Sequence, residues 1–187
     1  MQANFFDGAI IGAREEQQDD KSNLVLNDGF RLYVLADGMG GQKAGRLASR
    51  TVGAAVRDFM QRQSPLTAES DKEALLARAV EAGNGALTEV LRSRPELNQM
   101  GTTLLVVLIN EADNRFSFAS VGDSPLYCWR NGLLQRLNAN HAYYEELLAQ
   151  VRAGAMTREE AENHPDRHAI TSAVTGKRIE LLDLNSD

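Results

Sequence analysis

The chain contains the run Leu32-Tyr33-Val34-Leu35-Ala36-Asp37-Gly38-Met39-Gly40-Gly41, in which an apolar strand passes directly into an acidic, glycine-rich segment. The pattern predicts that Asp37 lies at the mouth of a buried strand and that a loop follows it. Glycines in such a loop allow backbone carbonyls to approach a cation that a Cβ atom would keep away. The run therefore indicates a site for a hard metal ion.

Two further acidic elements lie near predicted strands. Gln18-Asp19-Asp20 comes before the run, and Gly122-Asp123-Ser124 follows the strand-like residues 116–121. Taken singly, an Asp-Gly pair after a strand is more often a turn than a metal ligand, because both residues favour turn conformations. Three carboxylates, each at a strand end, predict one shared cluster.

The order of the blocks along the chain resembles the metal-dependent type-2C (PPM) serine/threonine protein phosphatases of bacteria. The blocks that carry the resemblance are Gly12-Ala13-Arg14 with Gln18-Asp19, then Leu35 to Gly41, Gly101-Thr102-Thr103 and Val121-Gly122-Asp123-Ser124. It continues over residues 133–176, through Asn140-His141 and the segment 159–165. So many ordered blocks are far more specific than any one of them.

Composition indicates a single globular domain over residues 1–187, because 43% apolar and 25% charged residues suit one substantial core. The net charge of −6 argues against nucleic acid and anionic membranes as partners. Cys128 is the only cysteine, so a reducing, cytoplasmic location is expected. The N-terminus does not read as a secretory signal, and no apolar run reaches membrane-spanning length.

Hydrophobic periodicity predicts strands, then a pair of helices, then strands again. A first amphipathic helix is predicted over Gly45 to Gln61, and a second runs from a capping box of Ser70 and Glu73 to Pro95. Two turns are predicted, at Asn27-Asp28-Gly29 and at Asn131-Gly132. The predicted strands cover residues 5–11, 22–26, 31–36, 102–109, 115–121, 126–129 and 133–137.

This order predicts an α+β fold. The resemblance implies more: an antiparallel β-sandwich flanked by paired helices, with metal ions in the cleft at one end. Residues 141–168 interrupt the strands with two short helices separated by Gly154, and a capping box of Thr157 and Glu160 is predicted to start the second. This segment resembles the flap that lies beside the active site in the family. Because the flap is carried on a loop, it is suited to substrate selectivity.

The resemblance implies hydrolysis of a phosphate monoester by metal-activated water, without a phosphoenzyme. Asp37 would bridge two ions, the Gly38 carbonyl would bind one of them, and Asp19 would hold the waters of that ion. Asp123 would belong to a third, weaker metal site. Arg14 would bind the substrate phosphate, because a guanidinium fork matches two phosphate oxygens. Oxygen-only ligands favour Mn²⁺ or Mg²⁺ over zinc.

Other polar residues in these blocks are expected to be structural. Asp20 is not expected to bind metal, since the family commonly has a small residue there. Residues 101–103 are expected to satisfy a turn and a strand start. A lone histidine after a strand is usually structural, and the resemblance places His141 at the base of the flap. His164 and His168 are expected to form local hydrogen bonds.

The chain departs from the family pattern at Pro125, where arginine is usual, and at Asn140, where aspartate is usual. The family also continues past residues like 179–183 into two more acidic motifs. The domain is therefore expected to be incomplete at the C-terminus, without two metal-binding aspartates and the strands that complete the sheets.

This expected incompleteness leaves two functions open. The first is a signalling phosphatase for phosphoserine and phosphothreonine proteins, a phosphoric monoester hydrolase paired with a serine/threonine kinase. In that case the activity of the 187-residue chain itself is expected to be very low. The second is a catalytically inactive pseudophosphatase that binds phosphoproteins or a kinase through Arg14 and the flap. Retention of Arg14, Asp19, Asp37, Gly38 and Asp123 favours the first.

Overall fold

The computed structural model describes residues 6–12, 15–26, 29–63, 65–67 and 70–186. Its helices are α1 (Gln42–Arg62), α2 (Lys72–Ser93), α3 (Tyr143–Arg152) and α4 (Arg158–Glu162). Its strands are β1 (Asp19–Val25), β2 (Phe30–Met39), β3 (Gly101–Thr102), β4 (Leu104–Asn110), β5 (Arg115–Val121), β6 (Tyr127–Arg130), β7 (Leu133–Arg136) and β8 (Asp183–Ser186). The predicted α+β class, with antiparallel sheets and paired helices, is confirmed.

A six-stranded antiparallel sheet in the order β1-β2-β4-β5-β8, with β3 also paired to β2, forms the centre of the molecule. Helices α1 and α2 cover one face of it. Side chains alternate along β2, so that Phe30, Leu32, Val34 and Ala36 are buried against the apolar stripe of α1. Strand alternation and helical periodicity together form one hydrophobic core between the sheet and the helices.

Within the described ranges, the second sheet consists of the hairpin β6–β7 alone. The turn of this hairpin was predicted correctly: Asn131 and Gly132 both have positive φ, 53° and 80°, as a type I′ turn requires. A groove of about 390 Å³ separates the hairpin from Phe116 and Phe118 on the sheet face that the helices leave open.

Strand boundaries near the candidate site differ from the prediction. Residues 6–11 form no strand, so the predicted first strand is wrong over its described part. Strand β2 continues through Asp37 to Met39, because Asp37 pairs with Asp19 of β1 and Gly38 pairs with Thr102 of β3. The acidic residue therefore lies within a strand, and the loop begins only at Gly40.

The start of the second helix was also assigned to the wrong residue. Asp71 is the N-cap, and its carboxylate accepts a hydrogen bond of 3.0 Å from the Ala74 amide. The Ser70 hydroxyl instead accepts one from the Thr67 amide. The first helix begins at Gln42 rather than at Gly45. Residues 27–28 of the predicted first turn lie outside the described residues, although the antiparallel pairing of β1 and β2 is as expected.

The segment 141–168 contains the two predicted short helices. Thr157 and Glu160 form the expected capping box at the start of α4, and Gly154 has a φ of 73° after α3. A backbone bridge between Ala142 and Ile170 closes the base of this segment. Among the described helices, none combines the length and the apolar character that crossing a membrane requires.

Two glycines in α2 lie in different surroundings. A Cβ atom at Gly83 would lie 3.0 Å from Val52 Cγ1 and 3.1 Å from Val56 Cγ2 of α1, whereas one at Gly85 would have nothing within 4 Å. Gly83 therefore allows α1 and α2 to pack closely.

We expect Gly85→Ala to raise the free energy of unfolding by about 1 kcal/mol, because alanine is the better helix former. Gly83→Ala is expected to give no such gain, since its methyl group must displace two valine side chains. Chemical denaturation of both variants measures the difference. An equal gain from both would contradict the close packing of the helices.

Candidate metal and phosphate site

Asp19 and Asp37 face each other across β1 and β2, on the sheet face away from α1. Both side chains are exposed. Carboxylates directly opposite each other on neighbouring strands repel, because their Cβ atoms are only about 5 Å apart. A cation relieves that repulsion, so the pair suits a positively charged ligand.

Gly38 is buried beneath the first turn of α1. A Cβ atom there would lie 2.1 Å from the Gly45 carbonyl oxygen and 2.7 Å from that of Gln18. Only glycine fits at this position. Gly40 and Gly41 follow with φ of 103° and 92° and turn the chain into the helix. A cleft of about 330 Å³ opens here, lined by Gln18, Asp37, Gly38, Met39, Gly40 and Ile170.

The main chain of Asp37 is held by two consecutive threonines. The Thr102 hydroxyl and the Thr103 amide both donate to the Asp37 carbonyl, each at 2.9 Å. The Asp37 amide donates to the Thr103 hydroxyl at 3.1 Å. Residues 101–103 were expected to satisfy a turn and a strand start, and that expectation did not include this role. The position of these threonines opposite the end of β2 appears only in the folded chain, so the sequence offered no signal for this second role.

Asp123 lies at a different cavity from Asp37. It borders a space of about 320 Å³ whose other walls come largely from the flap: Asn140, Ala142, Tyr144, Glu162, Arg167 and His168. Among the described residues, no three Asp, Glu, His or Cys side chains are placed to hold one metal ion. These side chains therefore do not form the predicted shared cluster of three carboxylates. The structure brings Asp19 and Asp37 together and leaves Asp123 beside the flap.

Asp20 points to the helix side of β1, because neighbouring residues of a strand alternate between faces. There its carboxylate accepts a hydrogen bond of 2.9 Å from Arg57 of α1, which also donates to the Ser22 hydroxyl at 3.0 Å. A Cβ atom at Gly53 would lie 2.3 Å from this carboxylate, so the helix has a glycine where the acid fits. Asp20 thus anchors the strand that carries Asp19.

His141 is buried at the base of the flap. Its Nδ1 atom accepts a hydrogen bond of 3.0 Å from the Gly122 amide, and its own amide donates to the Gly122 carbonyl at 3.2 Å. Burial lowers the pKa of His141, Asp183 opposes that shift and Arg136 adds to it. These contacts give His141 a structural role that joins the flap to the turn carrying Asp123.

A sequence model of the protein phosphatase 2C family matches residues 11–182. The chain belongs to this family. The serine/threonine protein phosphatase PstP of Mycobacterium tuberculosis is 38% identical over 152 residues, which cover 81% of this chain and 28% of that protein. The serine/threonine phosphatase stp of Listeria monocytogenes is 30% identical over 161 residues, which cover 86% of this chain and 62% of that protein.

Solved structures of the protein phosphatase 2C family have the same fold. The crystal structure of the PstP catalytic domain in complex with two manganese ions superimposes with a TM-score of 0.69 at 33% identity, covering 93% of this chain and 67% of that one. The chain spans less than two thirds of the length of the PstP and stp proteins described above.

Three residues were singled out by comparison with the family pattern, and their places in the structure differ. Arg14, the predicted phosphate ligand, lies outside the described residues. Asn140 lines the flap cavity and donates a long hydrogen bond of 3.4 Å to Glu145. Pro125 is exposed directly after Ser124.

The lowered pKa of His141 predicts that stability falls in mild acid. Below its ordinary value of 6.5 the unfolded chain binds a proton at this imidazole that the native protein does not, until pH reaches the lower native pKa. Each pH unit in that window costs at most about 1.4 kcal/mol. We expect His141→Asn, whose side-chain oxygen can accept from the Gly122 amide, to lose less stability than the wild type as pH falls below about 6.5.

Thermal denaturation across this pH range measures the effect, with His168→Gln as a control at an exposed histidine. If the stability of the wild type and of His141→Asn depended equally on pH, the lowered pKa of His141 would be contradicted.

Proposed function

We propose that this chain is the catalytic part of a metal-dependent protein serine/threonine phosphatase, which hydrolyses phosphoserine and phosphothreonine in protein substrates. The single observation that carries the proposal is the cross-strand pair Asp19 and Asp37 beside the buried Gly38, at the edge of a cleft. Family membership and relatives named as serine/threonine phosphatases support it. They give no support to the alternative of an inactive binding module.

The residues present fit a hard divalent cation. Two exposed carboxylates lie opposite each other, and the described cleft lining offers oxygen donors and neither thiol nor imidazole. This donor set favours Mn²⁺ or Mg²⁺. When bound, two such ions supply a water of lowered pKa and neutralise phosphoryl charge.

Each residue has a distinct part in this proposal. Asp37 would bridge the ions, the Gly38 carbonyl would bind one of them, and Asp19 would hold water on that ion. Asp123 would contribute to a third, weaker site at the flap cavity. Arg14 would hold two oxygens of the substrate phosphate.

The proposal extends to the setting of the enzyme. Residues 1–187 would form one phosphatase-like domain with residues 141–168 as its flap. The protein would act in the cytoplasm and oppose a cognate serine/threonine kinase. Because two carboxylates and one carbonyl are few ligands for a hard cation, we expect the 187-residue chain to bind Mn²⁺ weakly and to turn over very slowly.

Hydrolysis of p-nitrophenyl phosphate and of phosphothreonine peptides tests the proposal, measured with added Mn²⁺, with added Mg²⁺ and with chelator. We expect hydrolysis to require one of the ions. A rate that is undiminished in chelator would overturn the metal-dependent mechanism.

For Arg14→Ala we expect a higher Michaelis constant for phosphopeptide and an unchanged affinity for Mn²⁺. The loss of a bidentate phosphate contact costs roughly 2–4 kcal/mol in substrate and transition-state binding. Steady-state kinetics and metal titration calorimetry measure the two quantities separately. Arg92→Ala, at an exposed arginine late in α2, is the matched control. If Arg14→Ala lost affinity for Mn²⁺ and kept its affinity for phosphate, the assignment of Arg14 as the phosphate ligand would be wrong.

A further inference from the structure

We propose that Thr102, Thr103 and Ser124 are positioning residues, whose hydroxyl groups fix the main chain of Asp37 and join it to the turn carrying Asp123. The proposal concerns residues that do not themselves contact a metal ion or a phosphate. It rests on the proposed function for its consequence, namely that this fixation sets the metal affinity of Asp37.

The first observation is an interruption in the pairing of β2. Regular pairing with β4 extends to Leu35 and Leu105, and pairing with β3 resumes at Gly38 and Thr102 in the same register. Thr103 thus lies directly opposite Asp37. Its amide donates to the Asp37 carbonyl, but the Asp37 amide donates to the Thr103 hydroxyl. A side-chain oxygen has replaced the carbonyl that an antiparallel ladder normally supplies at this point.

The second observation shows what the Thr103 carbonyl binds in place of the Asp37 amide. The Thr102 hydroxyl lies 2.9 Å from the Thr103 carbonyl and 2.9 Å from the Asp37 carbonyl, so one buried hydroxyl serves both. Thr102 and Thr103 are 0% and 1% exposed, so bulk water does not reach these hydroxyl groups. The local conformation of Asp37 therefore depends on two hydroxyl groups rather than on the sheet alone.

The third observation links the same hydroxyl to the second candidate carboxylate. The Thr103 hydroxyl lies 2.8 Å from the Ser124 hydroxyl, and a Cβ atom at Gly122 would lie 2.7 Å from Thr103 Cγ2. The turn 122–124 is held from its other side as well: Asn138 donates to the Ser124 carbonyl at 2.9 Å, and Arg136 donates to the Asp123 carbonyl at 3.0 Å.

These contacts place Thr103 between the segments of Asp37 and Asp123. Some groups hydrogen-bond to a metal ligand and fix its orientation. Removing such a group typically lowers metal affinity by roughly 10- to 100-fold. We therefore expect Thr103→Val, which has nearly the same shape but no hydroxyl, to weaken Mn²⁺ binding by about this factor. Thr103→Ser keeps the hydroxyl and should bind Mn²⁺ within a few-fold of the wild type.

The matched control is Thr88→Val in α2. The Thr88 hydroxyl donates to the Asn84 and Gly176 carbonyls and contacts none of the cleft residues. It should lower stability while Mn²⁺ affinity stays unchanged. Ser124→Ala should also weaken Mn²⁺ binding. Its effect should not add to that of Thr103→Val, because both variants break the same hydroxyl pair.

Two readouts decide the matter on the 187-residue chain: titration calorimetry with Mn²⁺, and hydrogen exchange of the Asp37 amide without metal. We expect Thr103→Val, but not Thr88→Val or Thr103→Ser, to speed that exchange by about tenfold or more. If Mn²⁺ fails to bind the wild type, the proposed metal site is wrong, and the exchange of the Asp37 amide still decides the positioning role. Unchanged exchange in Thr103→Val, or Mn²⁺ affinity lowered equally by Thr88→Val, would overturn that role.

Discussion

Asp37→Ala is expected to abolish Mn²⁺-dependent phosphatase activity, a loss of about 10³-fold or more. In the proposed site this carboxylate would hold both ions, and bound metal contributes several kcal/mol to catalysis of this kind. Hydrolysis of p-nitrophenyl phosphate measures the loss. Titration calorimetry with Mn²⁺ gives a second readout that does not depend on the slow turnover expected of the 187-residue chain.

The control for this substitution is Asp113→Ala. Asp113 is an aspartate in the turn between β4 and β5, at the end of the sheet remote from Asp37, and its carboxylate accepts from the Arg115 amide at 3.1 Å. Removing it should leave Mn²⁺ binding and hydrolysis unchanged. Full activity of Asp37→Ala would contradict the bridging role.

Gly38→Ala is expected to cost about 3 kcal/mol or more in the free energy of unfolding, at the upper end of the cost of overpacking. The added methyl group would lie 2.1 Å from the Gly45 carbonyl oxygen and 2.4 Å from the carbon that bears it. Backbone atoms cannot rotate away as a side chain can, so α1 must move off β2. Domains are commonly stable by only about 5–15 kcal/mol, which makes such a loss large.

Chemical denaturation measures this loss, with Gly8→Ala as the control, because a Cβ atom at Gly8 would have nothing within 4 Å. We expect Gly8→Ala to change stability by less than about 0.5 kcal/mol. A Gly38→Ala protein as stable as the wild type would show that α1 can yield at Gly45.

The parts of the fold that depend on local pattern could be predicted from the sequence. The apolar stripe of α1, the Asn131-Gly132 turn and the capping box at Thr157 all depend on residues close together in the chain. Two errors arose because distant residues decide the structure. Asp37 is in a strand because β1 and β3 pair with it, and β8 was missed because its partner is β5.

The candidate site was predictable to a similar degree. Ordered motifs identified Asp19 and Asp37, and the structure places them side by side. Asp123 follows a strand in the same way, yet the course of its turn brings it to the flap cavity. Hydroxyl and amide groups such as those of Thr103 and Asn138 carry no recognisable pattern, because their roles depend on partners that only the folded chain brings near.

The hydrogen bond between Asp37 and Thr103 joins residues that lie far apart in the sequence, and this separation affects the order of folding. Asp19 and Asp37 are brought together by a hairpin of neighbouring strands, a local event. The hydroxyl that holds Asp37 comes from a residue 66 positions along the chain, after both long helices. Closing so long a loop costs entropy that only the assembled core repays. We therefore expect the hydroxyl contact to form late in folding, and a cation bound at the proposed site would stabilise the finished protein by mass action.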